Sequence, residues 1–318
     1  MTPAPPAGTA KDRREGGARQ SSTLAPTGVE LAPAKINLAL HVTDRGEDGY
    51  HLLDSLVVFA ALGDVVRGEV NPLGTIITDV TGPFAEDVVY VTAAGENLAE
   101  RAARALAEAF PRRRLGISLS IDKRLPVASG LGGGSADAGA TLRLLDRLWG
   151  LDADLDLLEE IALSLGSDVP MCMQSRSLRA TGRGERLTPI PGMPSVPLLL
   201  VNPGVPVATA DVFRRLSPPY DKPLPAVPQG FKSVFDLVIW LRQTKNSLEP
   251  PALAEAPPIG RVLKALRADA DCLFARMSGS GATCFGIFGS PSAAQRAAVR
   301  LRAARPAWWI VATESFKS

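Results

Sequence analysis

A glycine-rich segment in the middle of the chain has the composition of a phosphate-binding loop. Residues 126–136 read PVASGLGGGSA and stand between an alternating apolar stretch and an amphipathic one. Glycines let backbone N–H groups approach an anion closely, and the start of a following helix adds its positive dipole end. The hydroxyl of Ser135 can contact a phosphate or a magnesium ion. The alternative is a tight turn capped by Ser135, although four glycines in five positions exceed what a turn needs.

This segment departs from two common nucleotide-binding motifs. A P-loop has lysine after its final glycine, whereas Ser135 follows Gly134 here. A dinucleotide fingerprint that starts at Gly130 requires a sixth-position glycine, and that position is again Ser135. We therefore expect a nucleotide site that belongs to neither of those folds.

A second glycine cluster, MSGSGAT at residues 277–283, precedes an apolar stretch near the end of the chain. By itself it is as compatible with a tight turn as with a ligand-binding loop. Together with the first cluster it favours ligand binding, because two such loops can close over one polyphosphate.

Two charged residues occupy positions where chemistry is one explanation and packing is another. Lys35 lies inside the apolar segment APAKINL at residues 32–38, where an unpaired ammonium is costly. Asp168 follows an apolar helical pattern and precedes Val169 and Pro170. An edge lysine that reaches solvent and an aspartate that caps a turn before proline are the simpler explanations, and these residues alone leave both open.

Composition excludes several classes of protein. The 318 residues carry a net charge of only +2, which gives no electrostatic basis for a nucleic-acid partner or an anionic membrane surface. Three widely spaced cysteines form no disulfide framework, and two histidines do not supply a zinc site. No apolar run approaches the ~18 residues of a membrane span. We predict no protein metal centre, no nucleic acid, no membrane span and a cytoplasmic location.

Helical and strand patterns intermix along the chain without strict alternation, which predicts an α+β fold. Helices are predicted at residues 97–110, 135–149, 155–165, 234–241, 259–266 and 293–304. Strands are predicted at residues 36–42, 52–61, 117–121, 198–201, 283–288 and 309–312, the last as an edge strand.

Proline-rich residues 189–197 predict a boundary between an N-terminal domain, residues 29–190, and a C-terminal domain, residues 191–318. Residues 1–28 are predicted to be a disordered tail, because their composition cannot bury a core. An organelle transit peptide is the alternative, and Asp12 and Glu15 argue against it.

These motifs in this order resemble the GHMP kinase superfamily, which includes galactokinase, homoserine kinase, mevalonate kinase and phosphomevalonate kinase. Within it, five segments are similar to the family of 4-diphosphocytidyl-2-C-methyl-D-erythritol kinases of the non-mevalonate isoprenoid pathway. They are PAKINLAL at 33–40, DGYH at 48–51, IDKRLP at 121–126, GSDVP at 166–170 and NSLEP at 246–250. The resemblance runs from about Leu31 to the C-terminus. It places Gly139 where alanine is common in the helix after the loop.

The resemblance implies a two-domain α+β fold with the active site in the cleft between the domains. It implies transfer of the γ-phosphoryl group of ATP, with Mg²⁺ expected, to the 2-hydroxyl of 4-diphosphocytidyl-2-C-methyl-D-erythritol. Asp168 would be the catalytic aspartate and Lys35 its partner. The positions that it assigns to ATP are Asn97, Lys123, Pro126, Val127, Ala128, Ser129, Gly130, Leu131, Gly132, Gly133, Gly134, Ser135 and Ala136. Those that it assigns to the alcohol substrate are Asn37, Tyr50, His51, Thr209, Phe213, Gly279, Ser280 and Gly281.

Within the resemblance we predict that Tyr50 and Phe213 sandwich the cytosine ring and that His51 hydrogen-bonds its polar edge. A kinase of the same superfamily with another alcohol is the nearest alternative, and Tyr50 and His51 argue against a small acceptor. A non-catalytic nucleotide sensor is another, and the presence of both Lys35 and Asp168 argues against it. An RNA-binding module is a third alternative, and this sequence argues against it because it lacks basic residues interleaved with aromatic ones. Oligomeric state is left open.

Overall fold

The computed structural model describes Met1 and residues 25–92 and 97–317. The strands are β1 (Thr27–Arg45), β2 (His51–Val70), β3 (Ile76–Thr81), β4 (Ile117–Asp122), β5 (Leu178–Gly182), β6 (Arg186–Pro189), β7 (Pro197–Asn202), β8 (Cys272–Met277), β9 (Cys284–Phe288) and β10 (Trp309–Glu314). The helices are α1 (Ala85–Thr92), α2 (Leu98–Glu108), α3 (Gly133–Trp149), α4 (Leu155–Leu165), α5 (Val169–Gln174), α6 (Thr209–Arg214), α7 (Val234–Leu241), α8 (Glu249–Glu255), α9 (Pro258–Arg267) and α10 (Pro291–Ala304).

A long antiparallel hairpin organises the first sheet. Strands β1 and β2 pair from Thr27 opposite Glu69 to Arg45 opposite His51. On its other edge, β2 pairs with β5 through its first half and with β4 through its second half. The outer strands are β3, parallel to β4, and β6, antiparallel to β5. Because β1 is covered on both faces, its middle is continuously buried instead of alternating.

The second sheet has four antiparallel strands in the order β10-β7-β9-β8. Helices α9 and α10 pack on it, and their apolar residues form a core with β7 and β9. Helices α2, α3, α4 and α5 form a separate core against the first sheet. Among the described residues, no helix is long and apolar enough to cross a membrane.

A third core joins the two sheets. It contains Ile36 and Leu38 of β1, Leu200 of β7, Phe285 of β9 and Trp240 of α7. The hairpin therefore supplies side chains to the cores on both sides of the molecule, and residues of β1 lie between the two halves.

The α+β prediction is confirmed, as are the predicted elements at residues 117–121, 155–165, 198–201 and 234–241. The predicted strand at 309–312 is β10, and it lies at a sheet edge. The hairpin strands are much longer than predicted. Strand β1 continues through Pro33 because the register shifts there, and β2 continues through Gly63 because this glycine lies close against the backbone of β1. In the part of the chain that the structure describes, eight elements were not predicted: β3, α1, α5, β5, β6, α6, α8 and β8.

The predicted tail is too long at its inner end. Thr27 and Gly28 form the start of β1, where they pair with Glu69 and Gly68 at the edge of β2. The rest of the tail prediction, residues 2–24, lies outside the described residues. The domain boundary at residue 190 stays a prediction; β6 ends at Pro189 and β7 begins at Pro197.

Gly139 lies where α3 packs directly on the backbone of α5. A Cβ at this position would lie 2.7 Å from the Met173 nitrogen and 2.9 Å from the Cys172 carbonyl carbon. One turn later the Arg143 guanidinium donates to the carbonyl oxygens of Cys172 and Met173, at 3.0 and 2.8 Å. The helix that begins after Asp168 is therefore held against α3 by a contact that only glycine allows.

We predict that Gly139→Ala lowers the free energy of unfolding by about 1–3 kcal/mol, because α5 must move away from α3. Helix propensity alone predicts the opposite sign, a gain of about 1 kcal/mol. Denaturant unfolding of the variant measures the difference. Gly260→Ala in α9 is the matched control, since its Cβ would meet only the Leu253 side chain, at 3.4 Å. An equal gain in both variants would contradict the packing argument.

Candidate active site

A large cavity of about 1580 Å³ opens where the hairpin, the two glycine loops and α6 meet. Most of the predicted site residues line it. They are Lys35, Asn37, Tyr50, His51, Asn97, Lys123, Pro126, Val127, Ala128, Ser129, Gly130, Gly132, Gly133, Gly134, Ser135, Asp168, Thr209, Phe213, Gly279 and Ser280.

Lys35 and Asp168 form an ion pair, with 2.6 Å between Nζ and Oδ2. Lys35 on β1 is buried, while the Asp168 carboxylate is 38% exposed to the cavity. Burial alone would lower the pKa of Lys35, but the charge and the hydrogen bond of Asp168 raise it above its usual value. Lys35 is therefore an ammonium at neutral pH. The simpler explanations of both residues are wrong: the lysine does not reach solvent, and Asp168 makes no side-chain cap bond to α5.

The two glycine clusters pack backbone against backbone. The Ser278 hydroxyl donates to the Gly130 carbonyl at 3.1 Å, and the Thr283 N–H donates to the Ser129 carbonyl at 3.0 Å. Gly130 has a φ of +77°, and a Cβ there would overlap the Ser278 carbonyl oxygen. The first cluster then leads into α3, whose N-cap is Gly132 in the left-handed conformation. Ser135 therefore lies inside the first turn, and its predicted alternative role as helix cap is wrong.

Aromatic residues gather at the hairpin end of the cavity. His51 contacts Phe213 of α6, with ring centroids 5.3 Å apart, and Tyr220 edge-on at 5.7 Å. Tyr50 is 61% exposed, and the Arg183 guanidinium lies over its ring at 4.7 Å. Burial first, and the positive charge of Arg45 second, lower the pKa of His51, so its imidazole is neutral at pH 7.

Two buried polar atoms of this cavity lack a hydrogen-bond partner among the described residues. They are Oδ1 of Asn37 and Nε2 of His51. The Asn37 amide is oriented by donating to the Ser55 hydroxyl at 2.8 Å, which leaves its carbonyl oxygen free. An unsatisfied buried polar atom costs about 1–3 kcal/mol, which makes these two atoms candidates for a hydrogen bond to a ligand.

Three predicted site residues do not line the cavity. Leu131 is fully buried in the core between the sheets, and its carbonyl accepts from the Lys35 N–H at 2.9 Å. Ala136 is fully buried in the helical core of the first sheet, because it points away from the loop. Gly281, at a φ of +84°, turns the second loop and donates its N–H to the Ser278 carbonyl at 3.0 Å. These three residues therefore belong to the motifs because they fold the loops.

Lys123 lines the cavity but its ammonium is already occupied. It lies between the carboxylates of Asp64 and Asp137, the latter at 2.6 Å. Its predicted contact with ATP therefore has to compete with two buried ion pairs. Asn97 is similarly engaged, since its side chain accepts from the Ala99 N–H at 2.8 Å and caps α2.

Several cavity residues were missed. Arg45, Arg183 and Glu185 lie at its hairpin end, and Asp48 pairs with Arg183 across that end. The turn GRGE at residues 182–185 carries the only available signal, a charged residue between glycines. Asp64 and Asp137, the two partners of Lys123, were also missed. Each stands in an apolar segment, where a buried carboxylate requires a partner just as a buried lysine does. Among the described residues, no group of three or more His, Cys, Asp or Glu side chains could hold a metal ion.

Family models match both halves of the chain. The GHMP kinases N terminal domain matches residues 97–176, and the GHMP kinases C terminal domain matches residues 237–307. Among solved structures, a homoserine kinase from Cytophaga hutchinsonii aligns with a TM-score of 0.66 at 16% identity, covering 94% of this chain and 96% of that one. The fold and the site thus define a GHMP-type small-molecule kinase.

Relatives of higher identity narrow the class. A 4-diphosphocytidyl-2-C-methyl-D-erythritol kinase from Paramagnetospirillum magneticum is 48% identical over 281 residues, 88% of this chain and 95% of its own. One from Ruegeria pomeroyi is 50% identical over 88% of this chain and 96% of its own. A crystal structure of 4-(cytidine 5'-diphospho)-2C-methyl-D-erythritol kinase aligns with a TM-score of 0.73 at 35% identity, covering 91% of this chain and all of that one. This chain belongs to the 4-diphosphocytidyl-2-C-methyl-D-erythritol kinase family.

We predict that Gly130→Ala separates the two glycine loops and lowers the free energy of unfolding by more than about 2 kcal/mol, through overlap and positive-φ strain. Gly134→Ala is the control, because its Cβ would meet only Leu98 Cδ1 at 3.5 Å. Thermal and denaturant unfolding of both variants measure the difference. Similar stability of the two would show that the loops do not depend on each other.

Proposed function

We propose that this chain transfers the γ-phosphoryl group of ATP to the 2-hydroxyl of 4-diphosphocytidyl-2-C-methyl-D-erythritol. The observation that carries the proposal is the Lys35–Asp168 ion pair, which faces the same cavity as the glycine-rich loop. A carboxylate that is held next to an ammonium and open to a phosphate-binding loop is what alcohol phosphorylation requires.

The glycine-rich loop is proposed to bind the phosphates of ATP. Its backbone N–H groups and the first turn of α3 direct positive dipole ends into the cavity. Beyond Gly134, Leu98 of α2 and Leu163 of α4 offer apolar surface to a purine, and Leu163 is 47% exposed.

Magnesium would accompany ATP. Mg²⁺ keeps several waters and binds phosphates with one or two protein oxygens, so it needs no preformed protein cage. The hydroxyl of Ser135 is a suitable donor in this cavity. Bound there, the ion would offset negative charge on the phosphates.

Asp168 is proposed to accept the proton of the attacking hydroxyl. Lys35 keeps the carboxylate oriented and offsets negative charge near the attacking oxygen. The free Asn37 oxygen is available to a second hydroxyl of the acceptor, which would fix its orientation. Positioning and electrostatics of this kind account for most of phosphoryl-transfer catalysis.

The aromatic end of the cavity is proposed to bind the cytidine diphosphate portion. The unpartnered His51 Nε2 is suited to the polar edge of a pyrimidine, with Phe213 beside it. Arg45 and Arg183 are the nearby cations for a diphosphate. Because Arg183 covers one face of Tyr50, a cytosine would stack on the other face or displace the guanidinium. The sandwich by Tyr50 and Phe213 stays a prediction.

Labelled ATP and a panel of alcohols test the proposal directly. The purified chain is incubated with 4-diphosphocytidyl-2-C-methyl-D-erythritol, homoserine, mevalonate and galactose in separate reactions. We expect label in the first product alone. Phosphorylation of another alcohol would identify a different kinase, and ATP binding without any transfer would indicate a sensor.

We predict that Asp168→Asn still folds, with a loss of stability because Lys35 loses its charged partner, and loses about 10³-fold in kcat, because the amide cannot accept the hydroxyl proton. Nucleotide affinity, measured by equilibrium titration, should be retained. Asp156→Asn on the exposed side of α4 controls for the loss of a carboxylate. Near-normal turnover of Asp168→Asn would show that Asp168 does not accept the hydroxyl proton.

We predict that Tyr50→Ala raises the KM of the cytidine substrate about tenfold to a hundredfold, because base–aromatic stacking is lost. The KM of ATP should hardly change, since the glycine loop lies elsewhere in the cavity. Tyr50→Phe is the control that keeps the ring, and it should behave like the natural chain. Equal weakening of both substrates would point to a packing role for Tyr50 instead.

A further inference from the structure

One arginine of α3 binds two other elements at a place outside the cavity. The Arg143 side chain is 25% exposed, and it is not among the described residues that line the cavity. Its guanidinium donates to the carbonyl oxygens of Cys172 and Met173 in α5, at 3.0 and 2.8 Å. It also donates to the Leu31 carbonyl of β1 and to the Glu30 carboxylate of the same strand, both at 2.9 Å. Arg143 therefore binds β1 and α5 at the same time.

These contacts lie close to both members of the Lys35–Asp168 pair. Leu31 precedes Lys35 by four residues in β1. Asp168 lies directly before α5, and its carbonyl accepts the Cys172 N–H at 3.1 Å, so Cys172 is one helical turn from the carboxylate. The guanidinium of Arg143 thus bridges the strand that carries the ammonium and the helix that follows the carboxylate.

Helix α5 depends on such a bridge because it is short. It has six residues, and the last carbonyl groups of any helix have no partner within that helix. Cys172 and Met173 are buried, so water has little access to their carbonyl oxygens, although the Ser175 hydroxyl also donates to Cys172, at 2.5 Å. A guanidinium brings positive charge to the negative end of the helix dipole, and its planar fork of N–H donors can serve acceptors on two elements.

The other contacts nearby do not join the same two elements. Gly139 brings α5 against α3, and it leaves β1 untouched. Arg147 donates to the second oxygen of Glu30 at 3.0 Å, so this carboxylate is bound from both sides and is a fixed partner for Arg143. The position of α5 relative to β1 is therefore set at Arg143.

We propose that Arg143 is a positioning residue for phosphoryl transfer, because it fixes α5 relative to β1 and thereby keeps Asp168 within hydrogen-bonding distance of Lys35. Arg143 touches no reacting group, and it acts through the backbone of the two elements. The inference rests on the proposed function, in which Asp168 accepts the proton of the attacking hydroxyl. It goes beyond that function because it makes the rate depend on a side chain outside the cavity.

The test compares Arg143→Met with the natural chain, because methionine keeps an unbranched apolar stem and removes every N–H donor. We expect kcat to fall about tenfold to a hundredfold, since displacing a catalytic group by about 1 Å is enough for such a loss. The KM values of ATP and of the acceptor alcohol should stay within about threefold of the natural values, because Arg143 lies outside the cavity that binds them.

Arg147→Met is the matched control. Arg147 lies one turn further along α3 and donates to Glu30 and to the Val29 carbonyl, at 3.0 and 3.4 Å, and both of these partners belong to β1. This variant should keep the natural kcat. A fall of kcat in both variants, or in neither, would overturn the inference, as would a rise in KM that accounts for the whole loss of activity. Absence of transfer by the natural chain would instead refute the proposed function, and the inference with it.

Thermal unfolding of each variant gives the temperature below which it is fully folded, and kcat is measured there. A merely structural Arg143 would lower the melting temperature and leave the kcat of the folded variant natural. Should Arg143→Met not fold, Arg143→Lys takes its place, because an ammonium keeps the charge near α5 without the fork that reaches both elements. We expect about a tenfold fall in its kcat at natural KM values, and a natural kcat in this variant would overturn the inference.

Discussion

The pairing of one buried ammonium with one half-exposed carboxylate constrains most of this structure. Lys35 cannot stay charged inside an apolar strand without a partner, and its partner is 133 residues away in sequence. To bring the two within 2.6 Å, β1 must run through the centre of the molecule, and α5 must begin at the cavity with Asp168 at its N-terminus. The packing of α5 on α3 at Gly139 is then as much a requirement of the site as of the core.

Backbone contact, more than side-chain contact, shapes the part of the cavity that the two glycine clusters line. The two glycine clusters meet where Gly130 approaches Ser278 and Gly281 so closely that no side chain fits between them. Such contact leaves N–H groups near the start of α3 directed into the cavity, which side chains at these positions would block. Glycine at position 130 is therefore explained by space and by φ together, whereas Gly134 has room for a methyl group and is explained by neither.

The sequence predicted the helices and strands whose apolar residues recur with a clear period and whose ends are marked. The prediction failed where burial on both faces, or a short length, removed that period. Residues 117–121 alternate because one face of β4 is less buried, and their strand was predicted within one residue. Strand β1 is buried on both faces over its middle, so only a fraction of it was recognised. Helix α5 has six residues and begins with valine and proline, too short for a helical period to show. Leu131 was predicted to bind ATP because it belongs to the loop motif. Membership of a motif does not show which way a side chain points, and Leu131 points into the core between the sheets.

The electrostatics of the site also explain why overall charge was a poor guide to it. A net charge of +2 gives no sign of a basic site, yet the cavity is lined by Lys35, Arg45, Lys123 and Arg183. Most of these cations already have anionic or polar partners: Lys35 has Asp168, Arg183 has Asp48, and Lys123 has two carboxylates. Partnered cations orient a ligand without attracting anions indiscriminately, and in the proposed function the phosphates are attracted largely by backbone dipoles. The pairing of these cations therefore matters more to this site than the net charge of the whole chain.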